Sequence, residues 1–119
     1  MQRQKEHVNK RAIGSQYEEL AASYLKEKGY KILGKNFHCP YGEIDIIAEQ
    51  EDNLIFVEVK YRKNSLYGYP REAVNYKKKQ RIELTARFYL RHYYRYEKSC
   101  RFDIIEILED KITHIEAAF

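Results

Sequence analysis

Asp45, Glu58 and Lys60 stand on two apolar runs, Gly42-Glu43-Ile44-Asp45-Ile46-Ile47-Ala48 and Leu54-Ile55-Phe56-Val57-Glu58-Val59-Lys60-Tyr61, that read as the two strands of a hairpin. Side chains alternate faces along a strand, so Glu58 and Lys60 share one face while Ile55, Val57 and Val59 fill the other. If the hairpin loop holds an even number of residues, opposed positions have an odd sum and Asp45 joins the Glu58 face; Gln50-Glu51-Asp52-Asn53 suits such a turn. Two carboxylates roughly 5 Å apart at an effective dielectric of about 20 repel by about 3 kcal/mol, which a marginally stable domain must offset with positive charge. Lys60 is one source. A hard divalent cation such as magnesium is another, and it leaves coordination free for phosphate. A lysine beside such an ion stabilises developing negative charge, as phosphodiester hydrolysis requires. The bland alternative is a cross-strand ion pair on a wet sheet face, but Leu54 and Phe56 share the Glu58 face. Glu109-Asp110-Lys111 repeats the Glu-x-Lys spacing in a polar turn and lacks that setting.

These strands need helices to hold them. Between Gly14 and Lys28, Tyr17, Leu20, Ala21, Tyr24 and Leu25 follow helical spacing, and Gly29 supplies the stop. Glu18 falls at the edge of that apolar stripe and can look toward the sheet, or it can be an ordinary boundary carboxylate. Tyr30 to Phe37 reads as the first of three antiparallel strands. Residues 1–12 are polar, basic and aperiodic, and read as a flexible arm preceding a single domain over 13–119.

After Arg62, the residues Asn64, Ser65, Gly68 and Pro70 mark a loop beside the site, with Tyr67 and Tyr69 as contact points. Pro70 suits the start of a short helix through Ala73 and Val74. Asn75 can cap a longer one from Tyr76 to Tyr94, packed through Ile82, Ala86, Tyr89, Leu90 and Tyr93. Lys77, Lys78, Lys79, Gln80 and Arg81 fill its first two turns, a favourable start for phosphate contact. Leu84 and Phe88 leave another side apolar, a surface that a homodimer could use. Phe102 to Leu108 is a fourth strand, reached by a parallel crossover, and Ile112 to Glu116 is a short edge strand. Asp103 reads as a structural acid paired with an arginine.

At 119 residues and 44% hydrophobic content, one domain can bury a core without disulfides. Cys39 and Cys100 show no Cys-x-x-Cys spacing, the four histidines are scattered, and there is neither a secretory leader nor an apolar run long enough for a membrane, so a cytoplasmic location with no membrane partner is expected. The net charge of +4 is unevenly spread. Lys60–Arg101 carries thirteen Lys or Arg against three Asp or Glu, and eight of the twelve tyrosines. Cations for phosphate and rings for bases in one stretch point to nucleic acid.

The chain also resembles the YraN-like bacterial family, related to the Holliday junction resolvases of the restriction-endonuclease-like, PD-(D/E)XK nuclease superfamily. The resemblance runs through Gly14-x-x-x-Glu18-x-x-Ala21-x-x-Tyr24-Leu25, Gly29-Tyr30-x-Ile32-Leu33, Asn36-Phe37, Gly42-Glu43-Ile44-Asp45-x-Ile47-Ala48, Phe56-Val57-Glu58-Val59-Lys60-x-Arg62 and Arg101-Phe102-Asp103. It implies an α/β fold with a restriction-endonuclease-like αβββαβ core, a mixed sheet flanked by helices. It further implies that Asp45 and Glu58 are metal-binding acids, Lys60 the catalytic lysine and Glu18 an additional acid. Ile44 stands where the superfamily name has proline. The resulting expectation is a Mg2+- or Mn2+-dependent endonuclease-like phosphodiesterase acting on DNA, with branched or junction DNA suggested by the resolvase kinship. Asp45, Glu58 and the Val59 carbonyl would hold the metal, and Arg62, Lys77, Lys79, Gln80 and Arg81 would contact nucleic acid. The competing expectations are a non-catalytic nucleic-acid-binding module on the same fold and a scaffold that binds protein through Leu84 and Phe88.

Overall fold

The computed structural model describes residues 2–62 and 75–119, with side chains from Gly14 onward. The elements are helix α1 (Gln2–Glu27), strands β1 (Lys31–Cys39), β2 (Gly42–Gln50) and β3 (Asn53–Arg62), helix α2 (Tyr76–Tyr93), and strands β4 (Cys100–Leu108) and β5 (Lys111–Ile115). One sheet results, in the order β1-β2-β3-β4-β5, with β3 and β4 parallel and the other neighbours antiparallel. This is the mixed αβββαβ core expected from the sequence, extended by the edge strand. The expected loop with Tyr67 and Tyr69 and the short helix through Ala73 and Val74 lie outside the described residues.

Both faces of the sheet are covered, so residues 54 to 58 form an unbroken buried run. On one face Ala21, Ala22 and Leu25 of α1 pack on Ile46, Ile55, Val57 and Ile105. On the other, Ile82 and Ala86 of α2 pack on Ile44, Ile47, Leu54 and Phe56. The Gly29 N–H donates to the Lys26 carbonyl and the Tyr30 N–H to the Leu25 carbonyl, a Schellman end for α1 that needs the φ of 91° that Gly29 adopts. At the other end α1 begins at Gln2, where the sequence suggests an aperiodic arm. Residues 2–13 contain neither proline nor glycine, so nothing interrupts helical hydrogen bonding there.

Asn75 caps α2 as its position suggests, its side chain accepting the Lys78 N–H at 2.9 Å. The far end differs from expectation. Tyr93 is 60% exposed, whereas Tyr94, which leaves the helix in an extended conformation, packs on the α2-side core. The extended exit from the helix, not helical phase, decides which ring is covered.

Candidate active site

The β2/β3 hairpin positions the acids. Gln50 pairs with Asn53 and Ile46 with Val57, the odd-sum register that an even loop dictates. Continuing it sets Asp45 opposite Glu58. There the ladder gives way: Ile46 packs on the α1 side while Ile44 packs on the α2 side, so strict alternation breaks around Asp45. The Val59 N–H donates to Asp45 Oδ2 at 2.8 Å, and a side-chain carboxylate satisfies it.

Glu58 is buried, at 8% exposure, yet it is well compensated. Its Oε1 lies 3.0 Å from Lys78 Nζ and 3.3 Å from Lys60 Nζ. Lys60 comes from the same strand face and Lys78 from the first turn of α2. Burial and the adjacent Lys78 ammonium push Lys60 below the usual lysine range, with Glu58 opposing them. Burial works against Lys78 too, but interactions with Lys60, Glu58 and Asp45 hold it above that range. Lys60 is the more enclosed side chain, at 17% against 36%, which agrees with its being the easier of the two to deprotonate.

Among the described residues, Asp45 is the uncompensated member. Burial first, then the Glu58 charge, raises its carboxyl from the ordinary 3.8 to about 8, against the help of the Val59 N–H. Glu18 is half-buried on α1, and burial raises its carboxyl; a hydrogen bond with Asn36 offsets part of the rise, and the Glu43 and Glu58 charges add to it. Glu19, by contrast, is exposed and pairs with Lys35. The charges of Glu43 and Glu58 thus bear on both Glu18 and Asp45 at one end of the hairpin. Among the described residues, no three His, Cys, Asp or Glu side chains are already close enough to hold an ion.

An open cleft of about 410 Å³ borders this end, lined by Gly42, Glu43, Asp45, Asn75, Lys77, Lys78, Arg81 and Ile82. Of the residues assigned to nucleic-acid contact, Lys77 and Arg81 reach it. Lys79 does not: its amine lies 5.7 Å from the centre of the Phe119 ring. Gln80 is outside the lining as well, its amide donating to the Tyr76 hydroxyl at 3.0 Å. Arg62 ends β3, two residues beyond Lys60 and on the same face by alternation.

Two residues of this region escape a reading of the sequence. Lys78 is one of three consecutive lysines, and only docking of α2 shows which one meets Glu58. Glu106 is buried and lies opposite Lys60 in the parallel β3/β4 register. Its alternation with Phe102 was the available signal.

Asp103, also buried, makes an instructive contrast. Arg101 grips it through two hydrogen bonds of 2.8 Å, His114 Nε2 lies 2.6 Å away, and the Ala117 N–H donates at 3.0 Å. Burial opposes ionisation here too, but those partners hold the carboxyl below the ordinary range. Its charge is matched within the fold, as expected of a structural acid; that of Asp45 is not matched among the described residues.

Architecture and site together define a restriction-endonuclease-like α/β domain with an acid, acid, lysine constellation where two strands part. Residues 17–107 match the model of the uncharacterised protein family UPF0102, and the chain belongs to that YraN-like family. It is 45% identical over 113 residues to a UPF0102 protein of Syntrophomonas wolfei, covering 92% of this chain and 98% of the relative. A UPF0102 protein of Clostridioides difficile is 46% identical over 114 residues, covering 94% of this chain and all of the relative. No described helix is long and apolar enough to cross a membrane.

Proposed function

We propose that this protein is a divalent-metal-dependent nuclease that hydrolyses phosphodiester bonds of DNA, with branched or junction DNA as the favoured substrate. The observation that carries this reading is the pairing of unlike acids. Glu58 holds two ammoniums on one oxygen, whereas Asp45, opposite it, has an amide N–H and a carboxyl raised to about 8. A site short of positive charge beside one of two adjacent carboxylates suits Mg2+ or Mn2+, whose oxygen ligands would be Asp45, Glu58 and the Val59 carbonyl, with Glu18 as a further acid. When bound, the ion supplies Lewis acidity at the phosphate. Lys60, its proton affinity lowered by burial, orients the attacking water and stabilises charge that develops on the phosphate oxygens. Lys77 and Arg81 steer the backbone into the cleft, and Arg62, two residues beyond Lys60 at the end of β3, would add a further phosphate contact.

A second reading, a nucleic-acid-binding module without chemistry, is favoured by the lysine pair itself, since Glu58 is already neutralised by protein groups. One panel separates the two. Labelled linear, flapped, four-way and single-stranded DNA are incubated with manganese and wild-type or Lys60→Ala protein. The nuclease reading expects cleavage by the wild type alone; salt-sensitive binding without cleavage supports the module.

A further inference from the structure

A second groove, of about 340 Å³, lies on the outer side of α2, lined by Tyr41, Leu84, Arg87, Phe88, Arg91 and His92. Three observations tie it to the Asp45 cleft. First, the β1/β2 turn forms the divide: Gly42 lines one hollow and its neighbour Tyr41 the other. That turn presses so closely on α2 that a Cβ on Gly42 would stand 3.3 Å from Thr85 Oγ1 and 3.6 Å from Arg81 Cβ. Second, Lys77, Arg81, Leu84, Phe88 and Arg91 recur at spacings of four, three, four and three, which places them on one helical face running from cleft to groove. Third, the groove combines flat rings with the exposed cations of Arg87 and Arg91. Phe88 stacks on His92 with ring centres 5.5 Å apart, and Tyr41 stands edge-on to Phe88 at 6.4 Å while remaining 52% exposed.

An exposed ring in a groove that two arginines also line is the chemistry that holds an unpaired base together with its phosphates. The rise from Arg81 to Phe88 is about 10 Å, on the order of three stacked nucleotides. We propose that this groove is a subsite for a single-stranded extension of the nucleic acid, in which an unpaired base stacks on Tyr41 and Phe88 while Arg87 and Arg91 take its phosphates. It deepens the nucleic-acid reading above and names the substrate feature: a duplex with an unpaired flank. A hydrophobic face that would otherwise suit a second copy of the chain thereby becomes part of the strand's path.

The test is equilibrium binding of the full chain in EDTA, where cleavage is silent, to three fluorescent duplexes: blunt, with a short thymidine tail, and with an abasic tail of equal length. The wild type is expected to hold the thymidine tail about tenfold more tightly than the abasic one. Tyr41→Ala removes that difference and leaves blunt-duplex affinity unchanged, Tyr41→Trp preserves it, and Arg91→Ala weakens both tails alike. Equal affinity of the wild type for thymidine and abasic tails overturns the proposal, as does no binding to any of the three. A dimer abolished by Leu84→Asp, with no tail preference, overturns it in favour of self-association. Failure of the nuclease reading shows separately, as absence of manganese-dependent cleavage with the tail preference intact.

Discussion

The Asp45 carboxylate accepts the backbone N–H of Val59 at 2.8 Å, so a β2 side chain meets a backbone donor of β3 where the hairpin ladder ends. This contact fixes the acid beside Glu58 and ties the site to the sheet. Among the described residues it also leaves Asp45 with less positive charge than its burial demands.

The pH dependence of the metal-free protein follows from it. A carboxyl raised in the folded state from 3.8 to about 8 contributes stability while protonated; the contribution is complete below the unfolded value and is lost as pH rises through about 8. Metal-free protein should therefore lose stability across that interval. Asp45→Asn, neutral throughout, should flatten the profile and raise the melting temperature near pH 8 by about 5 °C or more, as read by thermal melts in EDTA.

Lys78 should tune Lys60. Removing the neighbouring ammonium in Lys78→Ala relieves one of the influences that lower Lys60 and leaves Glu58 to pair with Lys60 alone. The Lys60 transition should move to higher pH. A pH profile of manganese-dependent cleavage reads this as a limb displaced upward, and an unmoved limb would remove Lys60 from the rate-determining step. Lys60→Ala itself should lower the rate by about a hundredfold to a thousandfold while the melting transition stays cooperative.

Asp103, a buried acid whose charge is matched, should behave in the opposite way. Asp103→Ala strips Arg101 and His114 of their shared partner and should cost about 3–5 kcal/mol in urea denaturation, yet leave activity per folded molecule intact. Loss of activity without loss of stability would assign Asp103 to the chemistry.

Gly42→Ala tests the turn that divides cleft from groove. Its φ of 155° and the 3.3 Å approach to Thr85 Oγ1 both resist a side chain, and Thr85 is buried with its hydroxyl donating to the Arg81 carbonyl at 2.7 Å. A loss of about 1–3 kcal/mol is expected by chemical denaturation. A neutral result would mean that the turn can lift from α2.

Much of this arrangement was legible in the residues because it rests on strict periods. A period of two along β3 puts Glu58 and Lys60 together, and a two-residue turn after Gln50 decides the parity that brings Asp45 to them. Asn75 and Gly29 mark helix ends through their own backbone chemistry. Features that depend on how elements dock were not. Lys77, Lys78 and Lys79 differ by about 100° steps around α2, and only packing shows that the second meets Glu58, the first lines the cleft and the third lies near Phe119. Tyr93 and Tyr94 exchange roles for the same reason, since the chain leaves the helix between them. Glu106 is set opposite Lys60 only through a parallel pairing across the sheet.

The most direct measurement is calorimetric titration of the full chain with manganese near neutral pH, wild type against Asp45→Asn. The wild type should show a saturable site, with proton release on binding as the raised Asp45 carboxyl ionises, and the variant should lose it. Identical heats from both proteins, or none from either, would contradict that expectation.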